Sequence, residues 1–240
     1  EDDRGKLKRI MGIGKVRSNC EAERDIIVQG FKDSLRVLKQ AKNQIEIEAK
    51  ASLYDIINDK TLSDEERYDQ EKPFYEMLSE QEETDIRIRR TLLIGMFSFW
   101  ELSLKEICEF YKLDLATENG IEQNKKQRNG NEQKNKKPHY NYNDYANAIF
   151  QSERPEIVNL INSEIKELRN YMTHGTAKAD RIADIENLMN SHPEFCIGKA
   201  CPNYFFTSYD GLENILKVFS DGLICAEDKA KIAYEQTKKA

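Results

Sequence analysis

Between Asn19 and Asn58 the chain has no proline and no glycine pair, and apolar residues return at three- and four-residue intervals. They are Ile27, Phe31, Leu35, Leu38, Ala41 (or Lys42), Ile45, Leu53, Ile56 and Ile57. That period belongs to one face of a long amphipathic helix. The rest of the chain is equally sparing with breakers: 240 residues carry only 11 Gly and 5 Pro, and no strand-rich region or internal repeat interrupts the pattern. The predicted class is all-α. The length suits one domain, or at most two small ones, and is enough to bury a core without metals or disulfides.

The organisation follows the local patterns. Residues 1–17 carry Arg4, Lys6, Lys8, Arg9, Lys15 and Arg17 with little periodicity, which reads as a loose basic arm before a single helical domain over 18–240. Ser63 and Glu66 have the spacing of a capping box. Residues 64–85 hold ten acids against Arg67 and Lys72, a solvated helix face. The most apolar helix is expected over about 84–113. Leu93, Phe97, Trp100, Leu104, Ile107 and Tyr111 form one stripe, with Leu92, Met96 and Phe99 beside it, so this helix is expected to be central or at a subunit interface. Residues 117–143 turn abruptly to Lys, Asn, Gln and Gly. They read as a mobile insertion, with Lys125, Lys126, Arg128, Lys134, Lys136 and Lys137 as candidate phosphate contacts. Helices are then expected over 143–150, from Pro155 to a stop at Gly175, over 176–190 and from Tyr209 to Ala226 or beyond. Asp210 and Glu213 hint at a cap for the last, and a small hairpin is expected within 194–207.

Composition narrows the function classes. The net charge is −6 and the mean hydropathy −0.76. The longest nearly apolar stretch, Leu92 to Trp100, is far short of the roughly 20 residues a membrane span needs, so no membrane partner is expected. Five Cys cannot all pair within one chain, and Cys196 and Cys201 lack the second pair or spaced His that would complete a zinc site. Reduced thiols, a cytoplasmic setting, no metal and no cofactor are expected. Met11-Gly12-Ile13-Gly14-Lys15 is too short between its glycines for a phosphate loop, and Val16 stands where Ser or Thr is required.

Three His limit the acid–base chemistry. His139 lies in the Lys/Asn-rich insertion and His192 before Pro193. His174 closes the apolar helix five residues after Arg169. Arginine grips phosphate oxygens through parallel donors, and histidine moves its proton near neutral pH. Together they suffice in principle for metal-free RNA cleavage: a base at the ribose 2′-hydroxyl, a cation at the pentacoordinate phosphorus and an acid at the leaving 5′-oxygen. Five residues along a regular helix rotate a side chain by about 140° at 3.6 residues per turn. Arg169 and His174 therefore converge only if the helix breaks at the motif or a second chain contributes, which points to a dimer.

Arg169-Asn170-Tyr171-Met172-Thr173-His174 resembles the Arg-x(4–6)-His motif of HEPN domains, and the 97–106 helix is similar to their apolar second core helix; the resemblance covers about residues 84–225. It implies an antiparallel helical bundle that dimerises, with metal-independent endoribonuclease activity in a toxin, antiviral or abortive-infection role. It also implies catalytic roles for Arg169 and His174, an orienting role for Asn170 and a supporting one for Glu101. An antitoxin, sensor or ATPase partner belongs to the same expectation. The pattern departs where nucleotidyltransferase-partnered members carry Tyr two residues after the His, because Thr176 stands there. The residues themselves leave two alternatives open: a non-catalytic helical module binding RNA, a nucleotide or a protein, with Arg169 as a phosphate clamp, and a purely structural scaffold.

Overall fold

The computed structural model describes residues 3–113, 142–150, 153–174, 179–201 and 204–237, with backbone alone at 3–22, 142, 174, 179–181, 200–201, 204 and 237. It is all-α apart from one small hairpin. In chain order come α1 (Asp3–Asn58), α2 (Asp64–Tyr111), α3 (Tyr142–Phe150) and α4 (Glu156–Asn159). A π-helical segment, Leu160–Ile165, leads into α5 (Lys166–His174), followed by α6 (Ala179–Ser191) and a 3-10 turn, Pro193–Phe195. Strands β1 (Ile197–Cys201) and β2 (Tyr204–Thr207) precede α7 (Tyr209–Thr237). Two compact units divide the chain: Glu1–Leu92 with Glu194–Leu216, and Leu93–Pro193 with Lys217–Ala240.

In the first unit, α1 buries Leu35, Ala49 and Leu53. Residues 3–17, expected as a loose arm, continue α1 instead. Lysine and arginine are good helix formers, so the missing apolar period removes a core-facing stripe without removing the helix. A second correction concerns α2, which runs unbroken from Asp64 through Pro73 rather than restarting near residue 84. Its start is the expected capping box: Ser63 N donates to Glu66 Oε2 (2.9 Å) and Glu66 N to Ser63 Oγ (3.3 Å).

The hairpin lies where the sequence places it, antiparallel with Ile197 opposite Thr207 and Lys199 opposite Phe205. A two-stranded ribbon is marginal alone, and α2 supports this one. Arg89 Nη1 donates to the Thr207 carbonyl (2.6 Å) and Arg90 Nη2 to that of Phe205 (3.4 Å). Arg89 is buried at 4% exposure and pairs with the equally buried Asp85 (2.8 Å). Asp85 also accepts from Lys42 (3.2 Å) and from the Tyr209 hydroxyl. Burial and the Asp85 carboxylate push the Tyr209 hydroxyl's pKa upward. The start of α7 is capped by Ser208 Oγ, which accepts from Gly211 N (3.0 Å); Asp210, expected in a cap, pairs with Lys39 instead.

The second unit is built around the C-terminal part of α2, where the first expected stripe is buried and the second is buried at Met96 and Phe99, Leu92 being half-buried at the end of the first unit. Leu93, Met96, Phe97, Trp100 and Leu104 are fully buried, and Phe99, Ile107 and Tyr111 nearly so. Ile161, Ile165 and Leu168 from the π segment and α5, and Phe219 and Leu223 from α7, are buried in the same unit. Phe219 meets the Phe97 ring edge-on, centroids 5.9 Å apart. Gly222 gives α7 its approach: a Cβ there would stand 2.7 Å from Ile161 Cδ1 and 3.1 Å from Trp100 Cζ3. Pro155 sits one position before α4 rather than inside its first turn.

Candidate functional site

Leu168, Tyr171 and Met172 turn one side of α5 into the core. Arg169, next to Leu168, is thereby held at the core's edge, half-buried. Its guanidinium carbon lies 5.2 Å from the centroid of the fully buried Phe97 ring, a cation–π geometry worth about 0.5–2 kcal/mol. Arg169 Nη1 donates to Asn170 Oδ1 (3.0 Å), and Asn170 donates in turn to Glu167 Oε1 (3.4 Å). Among the described residues, Arg169 Nε is buried with no hydrogen-bond partner. A flat cation held by an aromatic face and one neighbouring amide, with donor capacity left over, suits an incoming oxyanion.

Glu101 stands one turn after Phe97 and is half-buried. Burial pushes its carboxyl above the ordinary range, against the opposing attraction of Arg169 and Lys166. Glu101, Lys166 and Arg169 thus share one electrostatic neighbourhood. Lys166 escaped the sequence reading, although its place one turn before Arg169 on the same helix was the signal for it.

His174 is the last residue of α5, and its side chain lies outside the described residues. The helix is continuous from Lys166 to His174. The irregularity that would bring 169 and 174 together within one chain is absent at the motif; the π segment lies upstream, at Leu160–Ile165. Lys125, Lys126, Arg128, Lys134, Lys136 and Lys137 lie outside the described residues, as does most of the 117–143 insertion. Among the described residues, no three His, Cys, Asp or Glu side chains converge as a metal site, and no helix is long and apolar enough to cross a membrane.

No protein-family model, curated protein or solved structure matches this chain.

Proposed function

We propose that this chain is a metal-independent endoribonuclease of HEPN type, working as a cytoplasmic toxin or antiviral effector. The observation that carries the reading is the Arg169 guanidinium, fixed on Phe97, on an unbroken helix that ends at His174.

In this reading the Arg169 fork binds the non-bridging oxygens of the scissile phosphodiester and stabilises the charge that grows there as phosphorus becomes pentacoordinate. A His174 imidazole removes the ribose 2′-hydroxyl proton. The 2′-oxygen bonds to phosphorus while the bond to the 5′-oxygen breaks, and a second, protonated imidazole donates to that leaving oxygen. The products are a 2′,3′-cyclic phosphate and a 5′-hydroxyl, with no redox change. Two imidazoles are needed and one chain has one motif His. Because the continuous helix keeps residues 169 and 174 about 140° apart, a twofold homodimer supplies the complete set. Asn170 fixes the guanidinium from the side. An antitoxin, sensor or ATPase partner would control access to the cleft.

Incubating the purified chain with single-stranded RNA in EDTA tests the reading. Cyclic-phosphate ends are expected from the wild type and none from Arg169→Ala or His174→Ala, both still folded and unfolding cooperatively. Equal cutting by wild type and both variants would end it.

The −6 net charge favours a second reading, a nucleotide- or RNA-binding module that does not cut, because general RNA affinity draws on a basic face. Salt-dependent RNA binding without cleavage, lost in Arg169→Ala, would select it.

A further inference from the structure

The chain of hydrogen bonds from Arg169 through Asn170 ends on Glu167, and Glu167 is also a wall residue of a cleft of about 680 Å³ beside the π segment. That volume lies within the about 300–1,000 Å³ usual for small-molecule sites. Asn162, Glu164, Lys166 and Glu167 line it from the π segment and α5, Asp184 and Asn187 from α6. Resting on the reading of Arg169 as a phosphate grip, we propose that this cleft is a base-binding subsite for a nucleotide flanking that phosphate, with guanine as the preferred base.

The chemistry of the wall argues for a base and against a second phosphate. Three carboxylates face one lysine, so an anion inside would be repelled, while a neutral group rich in donors would find acceptors. Guanine alone among the four bases presents adjacent N1–H and N2–H2 donors, which one carboxylate receives side by side. Adenine and cytosine offer one donor group beside a ring acceptor, and uracil one donor between two acceptors.

Asn162 supplies an independent observation. It is 7% exposed, its Oδ1 accepts from Trp100 Nε1 (3.1 Å), and its Nδ2 has no partner among the described residues. Asn162 lines the cleft, and its buried Nδ2 is a donor that a side-chain rotation on ligand entry would offer to a base carbonyl such as guanine O6. The π segment adds to this: such insertions re-aim side chains within a helix and concentrate at functional sites, and this one carries both Asn162 and Glu164. Lys166, which acts on Glu101 as Arg169 does, marks the side of the cleft toward the phosphate grip.

Trp100 is the only tryptophan and is bonded to Asn162, so its fluorescence reports on the cleft. The full chain is titrated with 5′-GMP, 5′-AMP, 5′-CMP, 5′-UMP and inorganic phosphate. The expected result is GMP binding about tenfold or more tighter than UMP, a 1.4 kcal/mol discrimination, with phosphate weakest. In Glu164→Gln/Glu167→Gln/Asp184→Asn the four nucleotides should converge to within about threefold. In Arg169→Ala all four should weaken together while GMP keeps its lead. Equal affinities in the wild type, or a GMP preference untouched in the triple variant, would overturn the subsite. RNA cleavage is scored separately. A chain that cuts without base preference loses the subsite and keeps the nuclease reading, and one that selects GMP without cutting does the reverse.

Discussion

The Arg169 guanidinium lies over the Phe97 ring, 5.2 Å from its centroid, so the cation's plane is set by the protein core before any substrate arrives. Such preorganisation lowers the cost of binding a pair of anionic oxygens. It depends on guanidinium shape as much as on charge. Arg169→Lys is therefore expected to lose at least about 100-fold in RNA-cleavage rate, on the order of 2.7 kcal/mol of transition-state stabilisation, with little change in melting temperature. Near wild-type kcat/KM in that variant would show that charge alone suffices.

Glu101 gives a pH test. Burial raises its folded-state pKa above the unfolded value, so the folded state prefers the neutral acid. The stability this contributes is fully present below the unfolded pKa and is lost as pH rises through the raised folded value. Glu101→Gln mimics the neutral acid at every pH. Melting temperatures of the two proteins should coincide near pH 4 and separate in favour of the variant by pH 7. A variant less stable than wild type at pH 7 would mean that attraction to Arg169 outweighs burial.

Arg89 and Asp85 form a buried pair in the first unit, and the Arg89 guanidinium also lies over the Phe206 and Tyr209 rings at 5.6 and 5.7 Å. Removing one partner of such a pair leaves an uncompensated charge, a loss of about 3–5 kcal/mol. Denaturant melts of Arg89→Met should show a loss in that range. The double variant Asp85→Asn/Arg89→Met should lose less than the sum of the single losses, because the two sites are coupled.

Two glycines make packing predictions of different size. At Gly211 a Cβ would overlap the backbone carbonyl oxygen of Phe195 and Thr207 Oγ1, whereas at Gly222 its nearest contacts are side-chain atoms of Ile161 and Trp100. Side chains yield more readily than backbone, so Gly222→Ala should cost about 1–3 kcal/mol and Gly211→Ala more. Chemical denaturation gives the order, and equal losses would contradict it.

Thiol chemistry separates the described cysteines. Burial pushes the Cys108 thiol up to about 12, and only thiolates react readily. With a thiol-reactive dye at pH 8, Cys196, which is exposed, should label in the native state and Cys108 only after unfolding.

Much of this architecture is legible in the residues. Both apolar stripes of α2, the capping box at Ser63 and Glu66, and the hairpin follow from period, cap chemistry and turn content, each of which acts over a few neighbouring positions. The unbroken α2 does not: Pro73 and the acidic run suggest a boundary, and only tertiary context decides against it. The π segment at Leu160–Ile165 is similarly hidden, since one extra residue in a turn leaves the apolar spacing of Ile157, Ile161, Ile165 and Leu168 looking regular. At the candidate site, Arg169 and Asn170 are hydrogen-bonded neighbours on one helix, while the electrostatic link between Glu101 and Arg169 has no signal in their spacing. Phe97 reads only as core, because nothing local says which buried ring will carry a distant cation. The cleft beside Asn162 is wholly tertiary, made by residues of α6 meeting a helix irregularity.

The two units interleave along the chain, with boundaries at Leu92/Leu93 inside α2 and at Leu216/Lys217 inside α7. Phe219, which seats Phe97, lies beyond the second boundary. Synthesis runs from the N-terminus at about 5–20 residues per second, so the platform under Arg169 stays unfinished until Phe219 has left the ribosome. A nascent chain stalled short of that point would carry Phe97 and Arg169 with the edge-on contact between Phe97 and Phe219 still unmade.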